Sequence, residues 1–116
     1  MEVRVIRCDE AVSYVALLGS LNFVGVQEIE TRFLGLTANR KKPALIDMTA
    51  VDFIGSSGVN MLYGCARSLQ KAGAPVVLLK PQPMVADTLR VAGLETLVRL
   101  CDDETQAQAA LGISKK

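Results

Sequence analysis

Apolar positions recur along this chain with two periods, and the switches between them mark out its elements. Val3 to Arg7 reads as a short strand, with Arg4 and Arg7 marking a solvated or edge position. Ser13 to Leu18 reads as a second strand, and Asp9-Glu10-Ala11 is short enough to join the two as a hairpin. Gly19-Ser20-Leu21-Asn22 ends that strand and offers Asn22 as a helix cap. Val26, Ile29, Phe33 and Leu36 then follow at spacings of three, four and three, which is one face of a helix. Glu28, Glu30, Arg32 and Asn39 fall mostly elsewhere on it, and the helix gives way to a basic turn, Asn39-Arg40-Lys41-Lys42-Pro43.

Ala44 to Met48 is an apolar run of strand length, interrupted only by Asp47. After Val51-Asp52-Phe53-Ile54-Gly55-Ser56-Ser57-Gly58, a helix is predicted from about Ser56 to Ala72. Val59, Leu62, Cys65, Ala66 and Leu69 form its inner face, and Gly73 follows as its C′ residue. Pro75-Val76-Val77-Leu78-Leu79 has the continuous apolar character of an interior parallel strand. Pro83 opens a third helix with Val85, Leu89 and Ala92 on its face, and Gly93-Leu94 suits a Schellman ending. Thr96 to Leu100 reads as a last strand. Asp102 and Asp103 cap a final Ala-rich helix reaching Leu111, and residues 113–116 are expected to be a disordered tail. The order β-β-α-β-α-β-α-β-α predicts a single α/β domain over residues 1–116, with about four helices on a mostly parallel sheet begun by an antiparallel hairpin. Helix starts that follow strand ends gather on one sheet edge, where such folds place function, and Ser56 falls there.

Composition narrows the possibilities. Half of the 116 residues are hydrophobic but only 4% are aromatic, so the core must be built from Ala, Val, Leu and Ile. A net charge of +1 with both signs dispersed gives no basic stripe, which argues against nucleic acid as a partner. Three cysteines without a CxxC spacing read as reduced thiols. With no histidine, the commonest metal ligand and the commonest general base are both missing. No apolar run approaches a membrane span and the start has no signal-peptide core, so the expectation is a cytoplasmic protein without membrane insertion, metal or cofactor.

Two hydroxyls, Ser56 and Ser57, sit between Gly55 and Gly58 where a strand hands over to a helix. The unpaired N–H groups of a helix start suit a hydroxyl that caps the helix, binds an anion or receives a phosphate. A catalytic serine lacks both a G-x-S-x-G turn and a histidine, and a phosphate-binding loop lacks its lysine. Asp47 and Asp52 could pair at Mg²⁺, but an Asp accepting backbone hydrogen bonds at a strand end is the simpler reading. Asn22 is most simply a cap on the same sheet edge as Ser56, with Val24, Gly25 and Val26 adding apolar surface beside it. Met61 and Tyr63 lie off the inner face of the second helix, where an exposed docking surface and core overflow are equally open readings.

The segment Leu45-Ile46-Asp47-Met48-Thr49-Ala50-Val51-Asp52-Phe53-Ile54-Gly55-Ser56-Ser57-Gly58-Val59 is similar to the F-I-D-S-S-G-L signature of the STAS domain family. Gly19-Ser20-Leu21-Asn22 resembles that family's early G-x-[LI]-D turn, and Val91-Ala92-Gly93-Leu94 its G-L helix ending. Over about residues 3 to 111 the chain thus resembles the small stand-alone branch of anti-sigma-factor antagonists. That resemblance implies a three-layer-like STAS fold and a non-enzymatic regulatory role. The partner it implies is an anti-sigma factor that is also a GHKL-type serine kinase, with a serine phosphatase reversing its action. Ser56 would be the phosphoacceptor, with Ser57 the second choice. The partner-binding set would be Asn22, Val24, Gly55, Ser57, Gly58, Val59, Asn60, Met61 and Tyr63. Gly55 and Asn22 stand where the family carries aspartates, and Asn60 where a small residue is common. A phosphorylation-independent scaffold subunit of a lipid-transport or signalling complex is therefore the alternative. A small nucleotide-binding domain of flavodoxin-like shape is a further one.

Overall fold

A computed structural model describes residues 1–112. The expected tail at 113–116 lies outside the described residues. Five strands form one sheet in the order of the chain: β1 (Glu2–Cys8), β2 (Ser13–Leu21), β3 (Ala44–Ile54), β4 (Val76–Leu79) and β5 (Arg99–Cys101). β1 and β2 are antiparallel, and every later pairing is parallel. Four helices alternate with the strands: α1 (Phe23–Leu36), α2 (Ser56–Lys71), α3 (Pro83–Val91) and α4 (Glu104–Leu111).

The two faces of the sheet follow from strand alternation. Val15, Leu17, Ile46, Met48, Val76 and Leu78 meet the apolar sides of α1, α2 and α3 in the larger core. Tyr14, Leu45, Val77, Leu79 and Cys101 point the other way, to Ala107 and Leu111 of α4. The layers are thus three helices, the sheet, and one helix. Aliphatic side chains fill the core as the composition demands, with Phe33 its one fully buried aromatic ring. Cys65 and Cys101 are buried free thiols, and burial pushes both upward in pKa, as suits core residues.

Local signals operate as read. The Gly25 N–H donates to Asn22 Oδ1 at 2.8 Å, capping α1, and the Gln106 N–H donates to Asp103 Oδ1 at 2.8 Å, capping α4. Pro83 occupies the first position of α3. Gly73 and Gly93 take left-handed conformations after α2 and α3. The basic turn becomes a brace rather than a loose end. The Arg40 guanidinium donates to the Val12 carbonyl at 3.2 Å, to Ser13 Oγ at 2.9 Å, and to the Asp9 carbonyl, tying the α1–β3 connection to the hairpin.

Several boundaries differ from the sequence reading, and β2 runs to Leu21 rather than ending at Leu18. β3 runs on through Ile54, because its outer half keeps pairing with β2 (Gly19 with Val51, Ser20 with Phe53, Leu21 with Ile54) across two register shifts. Its pairing with β4 stops at Asp47 and Leu79. The last strand begins at Arg99 rather than Thr96, because Leu94–Thr96 forms a 3-10 turn on the αL residue Gly93.

Candidate functional site

The overhang of β3 delivers the chain to the start of α2. Ile54 is buried, the Gly55 N–H donates to the Leu21 carbonyl at 3.0 Å, and α2 begins at Ser56. Gly58 is held against the end of β2: a Cβ there would lie 2.8 Å from both the carbonyl oxygen and the Cβ of Leu21. That contact explains why the second glycine of the motif is a glycine. It also removes Gly58 from the partner-binding set, since the residue is buried within the fold.

Neither serine caps α2. The N-cap residue is Gly55, which has no side chain to offer, so no side-chain oxygen satisfies the first N–H groups of the helix. Ser56 is exposed at the first helical position, and Ser57 beside it is half-buried. No acidic residue stands in that first turn. The helix end nearest Ser56 therefore carries its partial positive charge uncompensated.

Ser56 lies on the rim of an open groove of about 570 Å³ between α2 and α3. Ile54, Gly55, Ser56, Val59 and Asn60 form one wall, and Asp87, Thr88 and Val91 the other. A second groove on the far side of α2 is lined by Phe23, Val26, Gln27, Glu30, Ser57, Asn60 and Met61. Asn60, one helical turn after Ser56, touches both. Large apolar side chains stand exposed here: Phe23 at 64% on the second groove and Val91 at 90% on the first, with Phe53 at 49% and Met84 at 78% on a smaller crevice that also includes Ile54 and Thr88. Val24, also exposed, adjoins Phe23.

The structure gathers Asn22, Gly55, Ser56, Ser57, Val59 and Asn60 around the start of α2, as the sequence placed them. Met61 is a correction. It is only 3% exposed and belongs to the main core, because α2 is flanked by the sheet on one side and by α1 on the other. The face that looked surplus is covered. Tyr63 is exposed and lines neither groove; Arg67 donates to its hydroxyl at 3.1 Å and lies 5.8 Å from its ring centre. Asp47 accepts from the Thr49 N–H at 2.9 Å and the Thr49 hydroxyl at 2.6 Å, and Asp52 accepts from the Ser20 hydroxyl at 2.6 Å. Both carboxylates thus have structural partners, although Asp47 sits within the long β3 rather than at its end. Phe53, Met84 and Val91 were not singled out as site residues. The available signal was that Met84 and Val91 fall off the Val85–Leu89 face of α3, and that Phe53 is one of only three phenylalanines.

A family model described as the STAS domain matches residues 4–107. The chain belongs to the STAS domain family. Among curated proteins it is 20% identical, over 94 residues and 81% of each chain, to BtrV of Bordetella bronchiseptica, a candidate anti-sigma factor antagonist. Among solved structures, a STAS domain protein from Planctomyces limnophilus superimposes with a TM-score of 0.81 at 20% identity, covering 94% of this chain and 96% of the other. The anti-sigma factor antagonist SpoIIAA in its unphosphorylated form superimposes with a TM-score of 0.75 at 19% identity, covering 98% and 100%. The phosphorylated form of this Bacillus protein gives a TM-score of 0.66 at 20% identity, covering 94% and 98%. These likenesses establish the STAS fold, with an antiparallel β1–β2 pair followed by parallel strands. No helix among the described residues of this STAS protein is long and apolar enough to cross a membrane.

Proposed function

We propose that this STAS protein is an anti-sigma-factor antagonist that switches partners through phosphorylation of Ser56. Unphosphorylated, it binds an anti-sigma factor that is also a GHKL-type serine kinase; the kinase phosphorylates Ser56, and a serine phosphatase restores it. The observation that carries this reading is an exposed serine at the uncapped start of α2, between two open grooves edged by exposed apolar side chains. A phosphoryl group there adds about −1.5 to −2 charges and three acceptor oxygens. The free N–H groups of the helix start can hold those oxygens, while an apolar partner surface would have to desolvate them. One position therefore stabilises the modified form and expels the partner. The likeness to BtrV and to SpoIIAA, solved in both phosphorylation states, supports the reading.

The test uses the cognate serine kinase. With ATP it should add ~80 Da, localised to Ser56. Ser56→Ala should retain kinase binding and Ser56→Asp should lose it. Equal binding by the two variants would rule the switch out. One observation favours a second reading, a scaffold subunit that needs no phosphate: no carboxylate in the first turn of α2 stands ready to orient the Ser56 hydroxyl. An unmodified mass after kinase treatment, with stable co-purification of a membrane ATPase, would select that reading.

A further inference from the structure

At the far end of α2, roughly 22 Å along the helix from Ser56, lies a groove unlike the two beside that serine. It holds about 530 Å³ and is lined by Ala38, Asn39, Lys41, Ser68, Lys71 and Ala72. Two elements build it: the 3-10 turn Ala38–Arg40 with the residue that follows, and the last turn of α2. Both are fixed in place. The Arg40 brace ties the turn to the hairpin, and the Arg40 and Lys41 N–H groups donate to the Thr37 and Ala38 carbonyls at 3.2 and 3.3 Å. At the end of α2, the Leu69 carbonyl accepts from the Ala72 and Ala74 N–H groups, and the Gln70 carbonyl from Gly73. The backbone itself caps the helix there, without help from Lys71.

The polar side chains lining this groove have no partners. Among the described residues, the Lys41 and Lys71 ammonium groups form no ion pair, and the Asn39 amide and Ser68 hydroxyl make no hydrogen bond. All four can donate, and two carry a full positive charge. Lys41 adds an independent sign. Its φ of 56° and ψ of 32° are left-handed, a conformation glycine adopts without the steric penalty that a Cβ brings. The turn thus holds a lysine where glycine would suit the backbone better, and backbone strain of this kind gathers at functional positions.

We propose that this groove binds a small phosphate monoester, with its phosphate between Lys41 and Lys71 and its organic part over Ala38 and Ala72. The donor set identifies the chemistry. A planar carboxylate is best met by the fork of an arginine, and no arginine is among the residues lining the groove. Ammonium groups act as point charges and suit a compact dianion with three terminal oxygens. Ser68 and Asn39 supply further donors to those oxygens. The volume exceeds what a bare phosphate fills and lies within the range of small-molecule sites, which leaves room for an organic remainder. This site does not depend on phosphorylation of Ser56.

An NMR titration of the full chain with glycerol 3-phosphate, inorganic phosphate and, at matched ionic strength, sodium acetate tests this. Glycerol 3-phosphate should give saturable shifts of the Asn39, Lys41, Ser68 and Lys71 amides, with a Kd on the order of 1 mM. Inorganic phosphate should move the same signals with at least about threefold weaker affinity, because it lacks the organic contacts. Lys71→Gln and Lys41→Gly should each weaken binding at least about fivefold, while Ser56→Ala should bind as wild type does. Lys41→Gly should melt within about 3 °C of wild type, since relief of the left-handed backbone offsets the added chain entropy of glycine. Its lost binding then reports the ammonium group rather than damage to the fold, and Lys71→Gln carries the comparison if that variant proves unstable. The absence of saturable shifts below about 50 mM glycerol 3-phosphate overturns the site. An equal response to acetate also overturns it, reducing the effect to charge screening. Inorganic phosphate that binds as tightly as the ester overturns the monoester in favour of free phosphate. Shifts confined to residues 55–58 that survive both lysine variants overturn the groove in favour of the start of α2.

Discussion

Leu21 and Gly58 are in contact so close that a single added carbon on Gly58 would stand 2.8 Å from both the Cβ and the carbonyl oxygen of Leu21. This contact presses the first turn of α2 onto the end of β2 and so sets where Ser56 emerges. Gly58→Ala must move the helix start or the strand end, and should destabilise the protein by about 1–3 kcal/mol. Gly64→Ala, on the exposed side of the same helix with nothing within 4 Å of a new Cβ, should instead stabilise it by about 0.5–1 kcal/mol. Urea denaturation of the two variants checks the pair, and equal shifts would refute the proposed contact.

Charge at Ser56 should help the isolated fold even as, on the proposed function, it blocks the partner. An Asp at this first helical position faces a helix dipole with no acid yet in its first turn, so Ser56→Asp should stabilise by roughly 0.3–1 kcal/mol at low salt. A lower melting temperature for Ser56→Asp would mean that any loss of binding reflects damage to the fold rather than charge at the interface.

Tyr14 should make stability fall at alkaline pH. Burial, followed by the charges of Glu104 and Asp47 and the hydrogen bond to Glu104, pushes its phenol up to about 12 from an ordinary value of 10.0. The folded state therefore holds the proton more tightly than the unfolded chain. That contribution is fully present below pH 10 and is lost as pH rises toward 12. Denaturation of wild type and Tyr14→Phe across this range should show a steeper decline for wild type, and parallel curves would contradict it.

Gln108 of α4 is buried, only 7% exposed, and its Oε1 finds no hydrogen-bond partner among the described residues. Replacing it with a side chain of similar shape and no polar atom, Gln108→Met, should raise stability by about 1 kcal/mol. A destabilised variant would contradict an unsatisfied amide at this position.

Each kind of information answered a different question about this protein. Whatever depends on neighbours within a turn or two was legible in the sequence: Asn22 and Asp103 as caps, Pro83 at a helix start, Gly73 and Gly93 past helix ends, and Ser56 at the head of α2. Backbone conformation and capping are local chemistry, so residue types suffice to announce them. The alternation of strands and helices likewise announced the mostly parallel sheet. Only tertiary structure could decide that β3 continues to Ile54, since that extension exists by pairing with β2, more than thirty positions earlier in the chain. It alone decided that Met61 is core, because α1 covers a side of α2 that the helix's own periodicity leaves polar or ambiguous. It also decided that Gly58 is fixed by Leu21 while Gly55 makes room for Phe53. Burial and close approach belong to pairs of residues distant in sequence, and no single stretch of chain contains both members.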